Sequence, residues 1–374
     1  MKYLMAMLLG SGIIGCGSKD NSPHPSVTVE QSGDMPLETT DNGRKKNTET
    51  SLLRVCNSEN KKRSYIRSDQ VSINELHRLG SVLARNEQGK VISAELKGHQ
   101  ITNVALEHLI AFPDLRLLDL SYSHISDDGL EIVAELSHLQ VLGLGSTAVT
   151  DAGLRHLTAL PCLSNLDLYG TGITDIGLAH LSGLTNMEIL ELSATAITSA
   201  GMEHLEKMTH LRELHLVSSA ITDDGLTYLK AMSQLEILDL IDTRIGDAGL
   251  QHIRGLSSLQ ELTLNLTKIT DAGLEHLKGL HNLIQLSFYG TGIHGPGLKH
   301  LQTLSLLQHL DLSETLVTDQ GTSHLKVMDQ LLSIDLSDSQ VTAKGQSALQ
   351  HALPHCCLLY TSDAADDTPC VDLG

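Results

Sequence analysis

The sequence predicts an α/β solenoid, a curved stack of strand–helix units with a parallel β-sheet on its inner face and short helices on its outer face. Three observations predict this fold class. Residues 103–342 divide into ten consecutive units of 24 residues, without insertion or deletion. Each unit joins a strand-like apolar alternation to a helix-like apolar spacing. Aromatic residues make up only 2% of the chain and Trp is absent, which excludes a core built around large rings.

The strand half and the helix half of each unit share one core. Alternation places Leu262 and Leu264 on the same face of a short strand. In the helix half, Leu274 and Leu277 are three residues apart and turn toward that face. Seven apolar columns run through the ten units, and only Thr322 interrupts them. Because one unit alone cannot offset the entropy of ordering its backbone, we expect the stack to fold as a set.

The repeat has a recognisable sequence. DAGLEHLKGLHNLIQLSFYGTGIH at residues 271–294 is closely matched by DAGLRHLTALPCLSNLDLYGTGIT at residues 151–174. This pattern resembles the leucine-rich repeat family, specifically the bacterial 24-residue repeats that open with Thr-Asp-Ala-Gly-Leu. By analogy, the resemblance implies a leucine-rich repeat solenoid that recognises another protein. The chain departs from many families of this type, because Ser or Thr fills the corner position where they place Asn.

Two further columns predict structural roles. Gly recurs every 24 residues from Gly129 to Gly345, and we expect it to permit close approach between stacked turns. Asp stands at seven of the helix starts, where a negative charge suits the positive end of a helix. At the Ser or Thr corner we expect a ladder of hydroxyl hydrogen bonds to neighbouring backbone.

The first residues have the composition of a secretion signal. Lys2 precedes an apolar run over residues 3–14, which as a helix would rise only about 18 Å against a bilayer core of roughly 30 Å. The sequence IIGC at residues 13–16 resembles the lipobox of bacterial lipoproteins. This resemblance implies a signal peptide at residues 1–15, a lipid on Cys16 and an anchor in the cell envelope, periplasmic or at the cell surface. The alternative is an ordinary cleaved signal with an incidental Cys.

The rest of the chain divides into four segments. Residues 16–71 begin with the lipidated Cys and are polar without an apolar period, so we expect a disordered tether. Apolar residues at helical spacing predict an N-terminal capping helix over residues 72–90, before a repeat domain over residues 91–356. Residues 357–374, CLLYTSDAADDTPCVDLG, resemble a translated sequencing adapter, and the alternative is a genuine polar tail.

Charge and motifs narrow the classes of function. The formal charge of -19 opposes binding to nucleic acid, so a neutral or basic partner is expected, with membrane contact only through the lipid on Cys16. Apart from Cys16 and the two Cys in the tail, three scattered Cys residues form neither a disulfide framework nor a CxxC metal motif. The sequence has no nucleophile elbow, phosphate-binding Gly loop or His-Glu zinc motif. We therefore expect a non-enzymatic protein without metal or cofactor.

A column of His residues invites comparison with metal sites. Its eight members recur on the helical side of the units: His108, His156, His180, His204, His252, His276, His300 and His324. A zinc site needs ligands that converge to about 2.0–2.1 Å from one ion, whereas the outer side of the stack spreads its residues furthest apart. We therefore favour half-buried helix residues that bond to adjacent loops.

The inner strand face carries a second column, at the position between the two strand leucines. Seven of its eleven members are acidic: Glu95, Asp119, Gly143, Asp167, Glu191, His215, Asp239, Thr263, Ser287, Asp311 and Asp335. One interpretation is attraction for a basic patch on a partner. The other is a solvated face that keeps an exposed sheet soluble. Calcium between neighbouring acids is the weaker alternative, because no loop of spaced oxygen ligands accompanies them.

Apolar and Tyr residues beside this column resemble the composition of protein interfaces, although leucine-rich strands also tolerate scattered apolar residues. We predict a partner-binding face formed by Asn165, Asp167, Tyr169, Glu191, Glu213, His215, Ile237, Asp239, Ile241, Glu261 and Tyr289. The expected function is a lipid-anchored envelope protein that binds a protein with a basic patch. One alternative is a glycan-binding or glycan-processing surface protein. Another is an effector resembling F-box leucine-rich repeat proteins, which is disfavoured because residues 17–70 lack a second folded module.

Overall fold

The structure, a computed structural model, describes residues 28–30 and 69–360. Within these residues, one sheet of fourteen strands follows the order of the chain. The strands are β1 Thr28–Glu30, β2 Val82–Arg85, β3 Val91–Glu95, β4 Leu117–Asp119, β5 Val141–Gly143, β6 Asn165–Asp167, β7 Ile189–Glu191, β8 Glu213–His215, β9 Ile237–Asp239, β10 Glu261–Thr263, β11 Gln285–Ser287, β12 His309–Asp311, β13 Ser333–Asp335 and β14 Cys357–Leu359.

The sheet is parallel from β3 to β14. Leu166 pairs with Leu190, and Leu190 pairs with Leu214, so the register advances by one repeat at each step. A slip of one residue would turn the strand leucines out of the core. The constant register therefore keeps the same face of every strand toward the core. This stack of parallel strands and short helices confirms the predicted α/β solenoid.

Short helices connect successive strands. The α-helices are Asp69–Arg78, Asn103–Leu106, Asp127–Val133, Asp151–Leu154, Asp175–Leu181, Asp247–Ile253, Asp319–Thr322 and Ala343–Ala352. The 3₁₀ helices are Leu109–Ala111, Arg155–Ala159, Gly201–Leu205, Asp223–Ala231, Gly273–Leu277, Pro296–Thr303 and Leu325–Val327. In the part of the chain that the structure describes, none of the helices has the length and apolar character needed to cross a membrane.

The N-terminal end of the solenoid differs from the helix predicted over residues 72–90. The helix spans Asp69–Arg78, and Gly80 then adopts a left-handed backbone with φ of 80°. The chain continues as β2, which pairs antiparallel with β3, and β1 pairs antiparallel with β2. The apolar residues that suggested a long helix are divided between helix and strand. Ile73 and Leu76 are buried in the core from the helix, and Leu83 is buried from β2.

The core runs through the whole stack without a break. The strand and helix leucines Leu262, Leu264, Leu274 and Leu277 are all 0% exposed. Thr322, the one polar residue in the apolar columns, is also fully buried. Its hydroxyl donates to the carbonyl oxygen of Asp319 at 3.0 Å, so the buried polar group is satisfied within its own helix.

The helix-start aspartates bond to the next unit. Asp151 accepts the Thr174 backbone N–H at Oδ1 (2.7 Å) and the Thr174 hydroxyl at Oδ2 (2.6 Å). We call this contact the Asp bracket. The aspartates that accept a backbone N–H from the next unit in this way are Asp127, Asp151, Asp175, Asp223, Asp247, Asp271 and Asp319. The sequence suggested a role at their own helix N-termini, whereas their carboxylates join neighbouring units.

At several positions the Gly column makes room for these brackets. A Cβ placed on Gly249 would lie 2.6 Å from Oδ1 of Asp223 in the preceding unit. The predicted close approach is therefore between glycine and a bracket carboxylate. The Ser or Thr corner instead serves its own turn, since the Thr171 hydroxyl donates to the Leu168 carbonyl oxygen at 2.7 Å. That bond closes a local turn, so the corner hydroxyls form no ladder between units.

Several predictions concern residues at the ends of the chain. The signal peptide, Cys16 and the tether lie outside the described residues, except that residues 28–30 form β1. At the other end, β14 pairs in parallel with β13 and so extends the sheet to Leu359, into the segment that resembles a sequencing adapter. Residues 361–374 of that segment lie outside the described part.

Candidate protein-binding face

The strand register arranges the inner face into columns. The first column contains Asn165, Ile189, Glu213, Ile237 and Glu261, which pair in that order across β6 to β10. The second column contains Asp167, Glu191, His215, Asp239 and Thr263, two residues further along the same strands. Because strand residues alternate in direction, both columns face away from the buried strand leucines. The structure therefore brings ten of the eleven predicted residues together, eight on five neighbouring strands and two just after them. Tyr169 and Ile241 each follow a second-column residue by two positions, while Tyr289 lies one strand beyond, after β11.

The acidic residues of the second column have a structural role that the sequence did not reveal. Six of them use one carboxylate oxygen to accept the backbone N–H two residues later, which satisfies the chain where the strand ends. In this way Asp167 accepts from Tyr169 (2.8 Å) and Glu191 from Ser193 (2.7 Å). The same bond is made by Asp119, Asp239, Asp311 and Asp335. The acidic column is therefore partly a turn motif, and its second carboxylate oxygens remain for other contacts.

Asp167 and Glu191 are two neighbouring carboxylates of the face. They lie opposite one another on β6 and β7. Burial and the negative charges of Glu191 and Asp119 raise the pKa of Asp167 to about 6. Among the described residues, no Lys, Arg or His forms an ion pair with Asp167 or Glu191. Within the described residues these two neighbouring carboxylates are therefore in no direct ion pair, although Glu191 lies opposite His215 on β8.

His215 compensates the middle of the face. The imidazole is buried, with Nε2 3.8 Å from Glu213 and Nδ1 3.9 Å from Asp239. Burial lowers the pKa of His215, but Asp239, Glu213 and Glu191 outweigh it and raise the pKa to about 10. His215 is therefore a cation at neutral pH. The sequence placed it in the acidic column without predicting its charge.

A second cation compensates the N-terminal end of the acidic column. Lys97 Nζ lies 2.5 Å from the buried carboxylate of Asp119 and 3.3 Å from Glu95. Burial lowers the pKa of Lys97, but both carboxylates raise it, and the net shift is upward. Lys97 and His215 are therefore the cations on the two sides of the Asp167–Glu191 pair, and His215 lies opposite Glu191 on β8.

Asn165 carries an unsatisfied polar group beside that pair. Its side chain is 2% exposed, and its Oδ1 accepts the Ser164 hydroxyl at 2.7 Å. Its Nδ2 has no hydrogen-bond acceptor among the described residues. Since an unsatisfied buried donor costs free energy, this amide is suited to donate to a bound group.

The apolar and aromatic residues of the predicted binding face are only partly accessible to a partner. Ile237 and Ile241 are half-buried, while Tyr169 is 43% exposed. The Tyr289 hydroxyl donates to Glu314 at 2.9 Å. Tyr169 and Tyr289 are separated by five strand steps, or roughly 24 Å, so they do not contact the same small ligand.

The sequence prediction missed a shallow cavity at the C-terminal end of the inner face. Its volume is about 220 Å³, and Gln285, Ser287, His309, Asp311 and Asp335 are among its lining residues. The Ser287 hydroxyl donates to Asp311 at 2.9 Å, and His309 bonds to the Ser333 hydroxyl at 2.8 Å. These polar residues occupy the same two columns, and the sequence analysis placed Ser287, Asp311 and Asp335 in the second of them without including them in the predicted binding face.

The His column on the helical side contributes no cluster. His108 is buried, and the other members are half-buried or exposed. Across residues 69–360, no group of three or more His, Cys, Asp or Glu side chains is placed to hold a metal ion.

Known proteins resemble this architecture in their fold. An internalin from Listeria monocytogenes shares 18% identity, with a TM-score of 0.52 over 80% of this chain and 95% of its own. The ectodomain of a membrane receptor kinase from Arabidopsis thaliana, in complex with Casparian strip integrity factor 2, shares 18% identity over 71% of this chain and 32% of its own, with a TM-score of 0.49. A leucine-rich repeat protein from Leptospira interrogans shares 14% identity over 71% of this chain and 89% of its own, with a TM-score of 0.42. None of the curated proteins matches the sequence.

A family model for the leucine-rich repeat region matches residues 90–359, which is well over half of the chain. Domains of this kind are commonly scaffolds for interaction with other proteins, and they use their concave surfaces for it. The match begins next to β3 and ends with β14, so it covers the whole parallel part of the sheet. The chain therefore belongs to the leucine-rich repeat family.

Proposed function

We propose that this protein is a lipid-anchored, non-enzymatic protein of the bacterial cell envelope. Its inner face binds a protein partner, and the partner contributes a basic patch to the contact. The observation that carries the binding proposal is the Asp167–Glu191 pair, two partly buried carboxylates on neighbouring strands that form no direct ion pair among the described residues. A Lys or Arg side chain from the partner would lower the pKa of Asp167 and relieve the repulsion between the two charges.

The surroundings of the pair support a protein partner. Tyr169 is exposed beside Asp167, and Ile237 and Ile241 lie half-buried two strands away from Glu191. Aromatic and apolar side chains next to charged ones are typical of binding hot spots. The described residues offer no enclosed pocket near these residues, which favours a broad contact over a small-molecule site.

The binding proposal is tested by neutralising the pair. Asp167→Asn with Glu191→Gln keeps the acceptors for Tyr169 and Ser193 but removes both charges. We expect capture of the basic partner from envelope extracts to fall about tenfold, more at about 50 mM than at about 300 mM salt, because the interaction is electrostatic. The readout is quantitative mass spectrometry of the retained proteins.

The matched control removes the same charge elsewhere. Glu131→Gln with Glu135→Gln changes two exposed carboxylates on the helical side of the stack. This variant should retain the partner as the wild type does. Equal capture by the wild type and the Asp167–Glu191 variant would reject the inner face as the binding surface.

The anchoring proposal depends on the sequence at residues 13–16. Cys16→Ser is expected to abolish incorporation of a labelled fatty acid and to release the protein from the membrane fraction, whereas Cys56→Ser should change neither. Lipid incorporation into the Cys16→Ser variant would contradict the assignment of Cys16.

A further inference from the structure

The shallow cavity at the C-terminal end of the inner face is distinct from the site around the Asp167–Glu191 pair. Its lining residues come from β10 to β14, four strand steps or roughly 19 Å along the sheet. The cavity shares Glu261 with the predicted partner-binding face, but Asp167 and Glu191 do not line it. A ligand in this cavity would therefore be held by a different group of side chains.

Short side chains create the cavity. Thr263, Ser287 and Ser333 lie on the solvent-facing side of their strands, at positions where other strands carry acids or longer residues. The strand backbone is therefore less covered here, and the residues Leu262, Leu286 and Leu310 also line the cavity. The longer side chains around it are those of Glu261, Gln285, His309, Asp311 and Asp335.

Four polar groups of the lining have hydrogen-bonding capacity that the fold leaves unused. Within the described residues, the Thr263 hydroxyl and the Gln285 amide make no hydrogen bond. His309 bonds through Nδ1 to the Ser333 hydroxyl at 2.8 Å, which leaves its Nε2 available. One oxygen of Asp335 accepts a backbone N–H from the following turn at 2.8 Å, which leaves the other available. These groups are gathered around a cavity of about 220 Å³.

The available groups include both donors and acceptors. The Gln285 amide and the Thr263 hydroxyl can each donate and accept, Asp335 accepts, and His309 Nε2 does one or the other according to its tautomer. A Lys or Arg side chain only donates, so it would leave the donors of the cavity unsatisfied. A phosphate or carboxylate only accepts, and it would be repelled by Asp311 and Asp335. A sugar hydroxyl both donates and accepts, so a ligand with several neighbouring hydroxyls fits the mixed set best.

An apolar surface adjoins these polar groups. Tyr289 follows Ser287 by two residues, and its hydroxyl donates to Glu314 at 2.9 Å, which fixes the position of the ring. Leu266 is 48% exposed, and its Cδ2 would lie 2.7 Å from a Cβ placed on Gly290, so it covers the backbone next to Tyr289. A pyranose ring has polar edges and apolar faces. A surface that combines hydroxyl-binding groups with an aromatic ring is suited to both.

We infer that this cavity binds a neutral oligosaccharide. Its hydroxyls bond to the available groups of the lining, and one sugar ring packs against Tyr289. The carboxylates of the cavity disfavour acidic sugars, because like charges repel. The residues that bond to the sugar are Thr263, Gln285, His309 and Asp335. This site goes beyond the proposed function, since it adds a ligand of another chemical class at another position on the inner face.

An array of immobilised oligosaccharides tests the inference. The probes are neutral structures built from glucose, galactose, mannose, N-acetylglucosamine and N-acetylgalactosamine, together with structures that contain sialic or uronic acids. The labelled full chain should be retained by neutral structures and not by the acidic ones. Retention of no neutral structure, or equal or stronger retention of the acidic structures, would overturn the inference.

A double variant tests the position of the site. Thr263→Val with Gln285→Leu removes two hydrogen-bonding groups with little change in side-chain size. Isothermal titration calorimetry with the most strongly retained oligosaccharide should show about tenfold weaker binding than in the wild type. The matched control is Asp167→Asn with Glu191→Gln, which should bind the oligosaccharide as the wild type does. Unchanged affinity in the Thr263–Gln285 variant would overturn the inference.

A measurement on the wild type does not depend on the folding of a variant. The same oligosaccharide is titrated into the full chain, and the imidazole signals are followed by NMR. We expect the signals of His309 to shift, whereas those of His156 and His276 on the helical side should stay unchanged. The absence of a shift at His309 would overturn the inference.

The sugar site and the proposed function fail independently. A Thr263–Gln285 variant that loses the oligosaccharide but still captures the protein partner supports both sites. If no protein partner is captured while the oligosaccharide binds at His309, only the proposed function is rejected. If the partner is captured and no oligosaccharide binds, only the inference is rejected.

Discussion

Asp167 and Glu191 each use one carboxylate oxygen for a structural contact and leave the other open to further contacts. In Asp167, Oδ1 accepts the Tyr169 N–H, so replacement by Asn removes the charge without removing the acceptor. This separation allows the electrostatic contribution of the residue to be measured apart from its role in the turn.

Replacing Asp167 by Asn should stabilise the protein at neutral pH. The folded pKa of about 6 lies above the ordinary value of 3.8. Above pH 6 the carboxylate is ionised in the folded protein, and its charge destabilises the fold. Below about pH 4 it is protonated in both the folded and the unfolded state, and this destabilisation is absent. We expect a gain of about 1–3 kcal/mol in the free energy of unfolding at pH 7.5 that disappears toward pH 4. Urea denaturation at both pH values measures it. A gain that is independent of pH would contradict the role of ionisation.

His215 should stabilise the fold as a cation. Its folded pKa of about 10 exceeds the ordinary value of 6.5, so its stabilising effect is complete below pH 6.5 and is lost as the pH rises through 10. Replacement by Gln should cost on the order of 3 kcal/mol at pH 7, because Glu213 and Asp239 lose their counter-charge. NMR titration of the wild-type imidazole should show no deprotonation below about pH 9. A titration midpoint near 6.5 would contradict this assignment.

The sequence predicted the position of most inner-face residues but not their energetics. Alternation alone placed Asp167 and His215 on one face, because a strand has a period of two. The charge state of His215 depends on Glu213 and Asp239, which reach it from its own strand and from β9. Buried Asn165 was predicted as a contact residue, although its burial follows from side-chain packing that spacing does not describe.

Between elements, the Asp bracket is the main side-chain link from one unit to the next. It joins the start of one helix to the residue before the next helix, 23 residues later. Three units lack it, because Asn103, Ser199 and Gly295 stand at this position, and Ser199 bonds to Thr222 through its hydroxyl alone. The comparison between Asp151 and Ser199 therefore measures what the carboxylate adds.

Asp151→Ala should destabilise the protein by about 2–3 kcal/mol, because a charged acceptor of two hydrogen bonds is lost. The reciprocal variant, Ser199→Asp, should gain about 1 kcal/mol by accepting both the Thr222 N–H and hydroxyl. Thermal unfolding of each, with Thr174→Val in a double-mutant cycle for Asp151, measures the bracket. Additive effects of Asp151→Ala and Thr174→Val would show that the two side chains are not coupled.

Among the secondary-structure elements, the sequence predicted the repeating strands and helices but not the helix–strand junction at the N-terminal end of the solenoid. Ten units in register allowed strand, helix and corner to be placed from a single pattern. The predicted helix over residues 72–90 had no such repetition to support it. Leu79, Val82 and Leu83 suit both a helix and a helix–strand junction, and Gly80 decides between them by adopting a positive φ.

For the whole molecule, neighbouring units supply nearly all contacts, so damage at one end should remain local. Truncation after Cys356 removes β14 and exposes β13 as the edge of the sheet. We expect faster amide hydrogen exchange in β13 and the helix Ala343–Ala352, with unchanged protection in β6 to β9. If residues 357–374 derive from an adapter, this shorter chain should still fold. Global loss of protection would show that β14 is essential to the stack.

The backbone ladder joins residues 24 apart in every turn of the coil, and in seven turns an Asp bracket also joins residues 23 apart. An in-frame duplication of 24 codons preserves both the backbone ladder and the Asp bracket. An insertion of any other length within a unit disrupts both contacts. Gene copies of this protein should therefore differ in length by whole multiples of that number. Each duplication would add one strand and lengthen the parallel sheet by about 4.8 Å. Recombination within the gene would therefore change the length of the inner face in equal steps.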